Sequence, residues 1–308
     1  MWRYLIARLL QGAAVVFLVA TAAFLILRLT PGNPVDVLVG EAEVTPEQVA
    51  GIKHLWGLDR PWYVQYITWL ENMARGDFGE SVIRTGVPVR TMLAQAAPVT
   101  LTLNVAAFVV SAAIAIPVGI VAGVRRYSLF DYTGTVGATL GVALPSFWIS
   151  LMAIILFAVK LRWLPAFGLQ SWTGYVLPVA VLATEQTAVI TRLMRGSVAA
   201  VLHQDYVRTG RAKGLAESAV VLRHAVRNAL LPVITVLGYR VAFLLSGTII
   251  VETVFALPGV GRLLTDSVYH LDYQVVQVIA LLLAVIVVAT NIATDLVYAL
   301  VDPRIRIG

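Results

Sequence analysis

Two charged residues stand where charge is costly. Glu185 lies about ten residues into one long apolar run, and Arg240 about ten residues into the next. Antiparallel helices rising about 1.5 Å per residue would place both about 15 Å deep, near the middle of a bilayer. An unpaired charge there costs roughly 2.5–3.5 kcal/mol on insertion scales, which predicts a Glu185–Arg240 ion pair facing the bundle interior. Asp295, nearer one end of the last apolar run, is the competing partner for Arg240. Elsewhere chemistry is sparse. His54, His203, His224 and His270 are scattered over different loops, with no second ligand at metal spacing. The chain has no cysteine, which excludes disulfides, thiolate metal sites and cysteine catalysis. GxxxxGK[ST], HExxH and GxSxG are absent, so the chain holds no nucleotide in a P-loop and carries no hydrolase signature. These residues describe a non-catalytic chain with no metal site.

Two further segments have a pattern of their own. In Asp205–Pro232, Gly214 has the character of a left-handed cap, ending a helix that prolongs the preceding apolar run to Lys213. A second helix starts near Ala216–Ser218, with Ala219, Val220, Leu222, Val226 and Leu230 on one stripe and Arg223 and Arg227 on another. An apolar stripe flanked by cations suits a partner's groove, and equally suits anionic headgroups. In Phe255–Leu264, Pro258-Gly259 supplies a turn and Val260, Leu263 and Leu264 an apolar side. The segment reads as a re-entrant turn with a short helix, or as a surface hairpin.

The elements that must position these residues follow from composition. Of 308 residues 59% are hydrophobic and only 13% charged, with net charge +6 and mean hydropathy +0.84. Soluble domains are about 45–50% apolar and about 25% charged, so a soluble enzyme and a nucleic-acid-binding module are excluded. Six apolar runs each reach the roughly 20 residues that span a bilayer: Leu9–Leu29, Val99–Val124, Gly134–Val159, Tyr175–Met194, Leu230–Val251 and Val275–Val301. The first exceeds a signal peptide's apolar core of about 7–15 residues and is read as a retained span. Gly119/Gly123 and Gly137/Gly141 put small residues on helix faces, permitting close packing. Thirteen basic residues lie on the side of both termini and of the loops at 125–126 and 192–227, while the short loops opposite carry only Lys160, Arg162 and Arg262. That imbalance predicts cytoplasmic N- and C-termini.

Residues 30–98 then form a small external domain between spans one and two. Thr45-Pro46-Glu47-Gln48 opens a helix running to about Trp56. Pro61 opens a second, in which Trp62, Tyr66, Trp69, Leu70 and Met73 share a face fit for interfacial anchoring or packing, and Arg75-Gly76-Asp77 ends it. The remaining divisions are residues 1–29 (N-terminus and first span), a five-helix core at 99–301 with its loop at 195–229, and a tail at 302–308.

The chain resembles the permease subunits of ABC importers of the dipeptide, oligopeptide and nickel type, specifically the first, B-type permease of the pair. The runs Arg211-Ala-Lys-Gly214-Leu and His224-Ala-Val-Arg-Asn-Ala-Leu-Leu-Pro232 look like that subfamily's cytoplasmic EAA loop, with Arg208-Thr209-Gly210 where other members have Glu-Ala-Ala. Arg28-Leu-Thr-Pro-Gly-Asn33-Pro, Gly57-Leu-Asp-Arg-Pro61 with Gln65-Tyr66, Arg75-Gly-Asp-Phe-Gly79, Glu252-Thr-Val-Phe-Ala-Leu-Pro-Gly-Val-Gly261 and Asp302-Pro-Arg-Ile-Arg306 follow in the family's order. The resemblance implies an all-α permease bundle of six spans in a bacterial inner membrane. It implies a homologous second permease, two cytoplasmic ATPases that hold the ATP and Mg, an external substrate-binding protein, and no cofactor on this chain. Cargo would be di- or oligopeptides, with nickel, haem or another small solute as the alternative; an ion-coupled secondary transporter is the reading from another class. Gly214, Leu215, Ala216, Glu217, Ser218, Val221, Leu222, Arg223 and His224 would couple to the ATPase, through a coupling helix at Ala216–Arg223. Phe255, Pro258, Gly259, Val260 and Leu264 would form an external gate.

Overall fold

The computed structural model describes residues 2–29, 47, 54, 59–84, 86–241 and 248–301. In chain order they form α1 (Trp2–Leu29), α2 (Trp62–Ala74), α3 (Val89–Val124), α4 (Leu129–Ala143) and α5 (Ser146–Ala153), the last continued by a π-helical stretch Ile154–Lys160. A 3-10 turn (Trp172–Tyr175) leads into α6 (Val176–Val201), then α7 (Asp205–Ala212) and α8 (Glu217–Ala219). A π-helical stretch Val220–Ala225 joins α8 to α9 (Val226–Val241); α10 (Ile249–Val254), α11 (Val260–Tyr269) and α12 (Tyr273–Val301) follow. Among the described residues the only strand-like pairing is one antiparallel bridge, Glu80 with Pro88.

Among the described residues five helices are long and apolar enough to cross a membrane, and a sixth crossing exists only if the bent pair Leu129–Ala143 and Ser146–Lys160 counts as one span. The expected span Gly134–Val159 is thus two pieces, bent by 105° at a short break. Pro145 is the cause: a residue before proline is pushed out of the α region, and Leu144 takes φ −86°, ψ 129°. The fifth apolar helix runs Glu217–Gly238, displaced toward the N-terminus from the expected Leu230–Val251, and residues 242–247 lie outside the described set. α3 begins at Val89, ahead of the expected Val99, with Pro98 inside it. The helix expected over Thr45–Trp56 lies outside the described residues, apart from helical Glu47 and His54.

The chain divides into two compact units. In the unit made of residues 1–99 and 258–308, α1 runs along α12, and α11 packs on α12 as well. The start of α2 is where Pro61 sets it, and its aromatic face packs on α1. Tyr66 and Trp69 sit 5.0 and 5.9 Å from the Phe24 ring, and the Tyr66 hydroxyl is 2.7 Å from Thr21 Oγ1. Trp62, expected on that face, is exposed instead. After Gly76 (φ +75°) the chain returns through Asp77–Pro88, where Asp272 accepts from Ser81 Oγ and, at 3.1 Å, from the Val82 amide.

In the unit Thr100–Leu257, α4 and α9 both pack on α6. Lipid tails are as apolar as leucine, so such helices associate by close packing rather than by escape from water. The α3–α6 contact is of this kind. A Cβ at Gly123 would lie 2.8 Å from Val198 Cβ and 2.9 Å from the Arg195 carbonyl, and one at Gly119 2.6 Å from Met194 Cβ. Gly137 has nothing within 4 Å of that position.

Gly123→Ala therefore lowers the thermal midpoint in detergent, by an overpacking cost of about 1–3 kcal/mol. Gly137→Ala leaves it unchanged or raises it, because alanine is the better helix former by about 1 kcal/mol. Equal shifts of the same sign would refute the close-approach reading of Gly123.

Candidate functional site

The segment between α6 and α9 is built as a rigid elbow. α6 stops at Val201 rather than running on to Lys213; the turn Leu202–Gln204 intervenes, and α7 starts afresh at Asp205 with Gln204 extended (φ −75°, ψ 149°). At the other end of α7, Gly214 takes φ +75°, a region open to glycine at no steric cost. Its amide donates to the Arg211 carbonyl (2.9 Å) and the Leu215 amide to Gly210 (3.4 Å), the paired closure of a Schellman turn.

Two side-chain rungs bridge the elbow. Arg211 reaches across the turn to Glu217 with both Nε and Nη2 (3.0 and 2.6 Å), a bidentate pair. The adjacent carboxylate raises the Arg211 guanidinium above its ordinary pKa. Farther along, Asn228 Nδ2 donates to the Tyr206 hydroxyl (2.9 Å) and to the His224 carbonyl (3.2 Å). Arg211, Tyr206 and Asn228 were not among the expected site residues; a cation and an anion six positions apart across a glycine turn is the signal that could have found the first rung.

The face this elbow presents differs from the expected stripe. Val220, Val221, Ala225 and Val226 are buried, with Ala229 and Val233 beyond them in the α6–α9 core, while Leu222 is 64% exposed. The stretch Val220–Ala225 is π-helical, closing i→i+5, so a register drawn at 3.6 residues per turn slips across it. Leu215, Ala216, Glu217, Ser218, Leu222 and Arg223 are exposed, and His224 is half-buried.

The expected Glu185–Arg240 pair lies outside the described residues, since the side chain of Arg240 is not among them; nor is that of Asp295. Glu185 is exposed on α6. The buried ion pair that is present had not been expected. Asp131, 2% exposed near the start of α4, receives Arg195 through its Nε and, at 2.8 Å, its Nη2. It also accepts from the Tyr127 amide at 3.0 Å, and Ser128 Oγ caps its own amide at 3.3 Å. The sequence signal was local: Ser128-Leu-Phe-Asp131 has the spacing of a capping box, beside the arginines that mark the same end of α6.

The 255–264 segment turns earlier than expected. Phe255 is buried and caps α10, and Ala256 takes φ +53° while Gly259 stays extended (φ −98°, ψ 177°) as the N-cap of α11. The Leu257 amide closing on Glu252 (2.8 Å) and the Ala256 amide on Thr253 (3.2 Å) put the left-handed residue before Pro258 rather than after it. Glu252 itself is fully buried, its Oε1 accepting from Thr100 and Thr248 hydroxyls at 2.6 Å each. In the other unit Val260 is buried and Leu264 half-buried. Among the described residues no three His, Asp or Glu side chains converge as a metal site.

Several helices long and apolar enough to cross a membrane mark an integral membrane protein, and comparison with known proteins makes the class specific. Residues 115–307 match the family of binding-protein-dependent transport system inner membrane components, and residues 1–104 match the N-terminal part of such components. The chain belongs to this family of ABC importer permeases and is an integral inner-membrane protein. It is similar to the oligopeptide transport system permease protein AppB of Bacillus subtilis, 37% identical over 98% of this chain and 99% of that one. It is likewise similar to the oligopeptide permease OppB of Haemophilus influenzae (37%; 99% and 100%) and to the di/tripeptide permease DppB of Pseudomonas aeruginosa (39%; 94% of each).

Removing one partner of Asp131–Arg195 strands the other. Asp131→Asn and Arg195→Met each destabilise the purified chain by about 3–5 kcal/mol, the usual cost of breaking a buried ion pair by removing one partner. The double replacement Asp131→Leu with Arg195→Met recovers part of the loss. A double variant no better than the worse single one, in thermal unfolding, would dismiss the pair as a stabilising contact.

Proposed function

We propose that this chain forms half of the translocation pathway of an ATP-driven importer of di- and oligopeptides, with the elbow around Gly214 docking into a groove of a cytoplasmic ATPase. The observation that carries the reading is the elbow itself. A Schellman turn and two side-chain rungs make it stiff, and Leu215, Ser218, Leu222 and Arg223 are left uncovered on it. Exposed leucines flanked by cations are the anchors that a groove on a partner receives. ATP and Mg belong to two ATPase chains, and closure of their dimer moves the elbow, and with it α6 and α9, between inward-open and outward-open arrangements. The peptide assignment is supported by the names of the relatives above, all of them peptide systems rather than nickel or haem systems.

The remaining parts of the reading concern placement. The bent pair α4–α5 serves as the third of six spans, both termini face the cytoplasm, and residues 30–98 with the 252–273 segment meet the external binding protein. A homologous second permease completes the pathway. Phe255, Pro258, Gly259, Val260 and Leu264 gate its external mouth, and Glu185 with Arg240 neutralise one another within the bundle.

Gly214→Val forces a β-branched residue into a positive-φ conformation, a costly outlier. The expected outcome is a transporter that inserts normally but loses substrate-stimulated ATP hydrolysis or fails to retain its ATPase; unimpaired transport would end the coupling assignment. Orientation has its own test, helped by the absence of native cysteine. A single cysteine replacing Arg306 should react with a membrane-impermeant maleimide only in inside-out vesicles, and one replacing Trp172 only from outside. The reverse pattern would invert the topology.

A further inference from the structure

The turn between α3 and α4 and the last turns of α6 enclose an open cavity of about 420 Å3, lined by Arg126, Arg195, Gly196, Ala199, Ala200 and His203. That volume falls in the range of small-ligand pockets, about 300–1,000 Å3. The proposed transport cycle assigns it nothing. Its charged lining is of one sign. The adjacent carboxylate, Asp131, is buried and bound to Arg195. A guanidinium has five N–H donors, and Asp131 engages Nε and Nη2 only, so Arg195 is held in place with further donors to give. Arg126 is exposed, its guanidinium 5.3 Å above the Tyr127 ring, a contact that orients the cation without neutralising it. His203 Nδ1 lies 2.8 Å from the Ala199 carbonyl, so that nitrogen carries the hydrogen and the ring's direction is set. Gly196, Ala199 and Ala200 keep the floor shallow.

The second observation is an apolar stripe that starts at the same turn. Leu129, Tyr132, Val136 and Leu140 recur at helical spacing along α4, and all are exposed, Leu129 at 81%. From Leu129 to Leu140 the stripe is about 17 Å long, close to the half-thickness of a bilayer core of about 30 Å. A cationic cup at one end of an apolar track one leaflet long matches an amphiphile with an anionic head.

We propose that this cavity binds the phosphate headgroup of an anionic phospholipid, with its acyl chains lying along Leu129, Tyr132, Val136 and Leu140. Arg126 and Arg195 hold the phosphate, and the lipid ties the α3–α4 turn to the end of α6, from which the elbow projects. The site depends on the membrane location of the chain, not on its cargo or on ATPase coupling.

The test is native mass spectrometry of the full chain, purified from membranes with the subunits it retains and titrated with phosphatidylglycerol or phosphatidylcholine in mixed micelles. Arg195 is left intact because it neutralises Asp131; the variant is Arg126→Gln combined with His203→Gln, with Arg126→Lys as the conservative control. Expected is a roughly fivefold to tenfold loss of retained phosphatidylglycerol in the double variant, near-native retention in Arg126→Lys, and no change in phosphatidylcholine. Millimolar inorganic phosphate should not displace the lipid. Unchanged phosphatidylglycerol retention overturns the proposal. So does displacement by inorganic phosphate, which would make this a soluble-anion site. Loss of a partner subunit with lipid retention unchanged overturns it too, and would make the surface a protein contact.

Discussion

Asp131 is buried, and its charge is tolerable there because Arg195 lies against it. The constraint is geometric as well as electrostatic. Arg195 sits on the helix whose backbone Gly123 approaches, and through Asp131 it also holds the start of α4. Tyr127 enters the α3–α4 turn at φ +61° and gives its amide to the same carboxylate. One buried charge therefore fixes three things at once: the helix spacing, the turn, and the end of α6 from which the elbow leaves.

The elbow inherits that fixed point. α6 ends two turns past Arg195, and the chain rebuilds helix at Asp205, Glu217 and Val226 with little slack between. Each exposed rung in it is weak alone, since surface ion pairs contribute about 0–1 kcal/mol. Their effect is additive in direction rather than in energy: the Schellman closure, Arg211–Glu217 and Tyr206–Asn228 each remove a different way for α7 to swing. What the three contacts give this joint is stiffness more than stability.

Much of this was legible in the residues. Long apolar runs locate membrane helices because lipid leaves the backbone no other partner than itself. Pro61 and Gly214 mark boundaries because one lacks an N–H and the other tolerates positive φ. What escaped has physical reasons too. Gly134–Val159 has the length and apolarity of a span, and prolines such as Pro145 are tolerated inside membrane helices, so neither signals the bend at Leu144. Leu222 was put on one stripe with Val220 and Val226 because periodicity assumes one helical pitch. Asp131 and Arg195 are 64 positions apart, and depth matching that favoured mid-span charges passed over two residues near one end of the bundle.

The π-helical stretch Val220–Ala225 has a consequence for how such an elbow can vary. Successive residues of an α-helix point about 100° apart. The wider coil between α8 and α9 lets the tip keep its own rotational phase, while Ala229 and Val233 stay locked in the α6–α9 core. Losing a single residue there would leave the buried half of the rod in place and rotate the surface around Leu215 and Ser218 by roughly a quarter of a circle. The packed half of the rod and its exposed tip are thereby phased separately, so the angle of the tip can change without any change in its side chains.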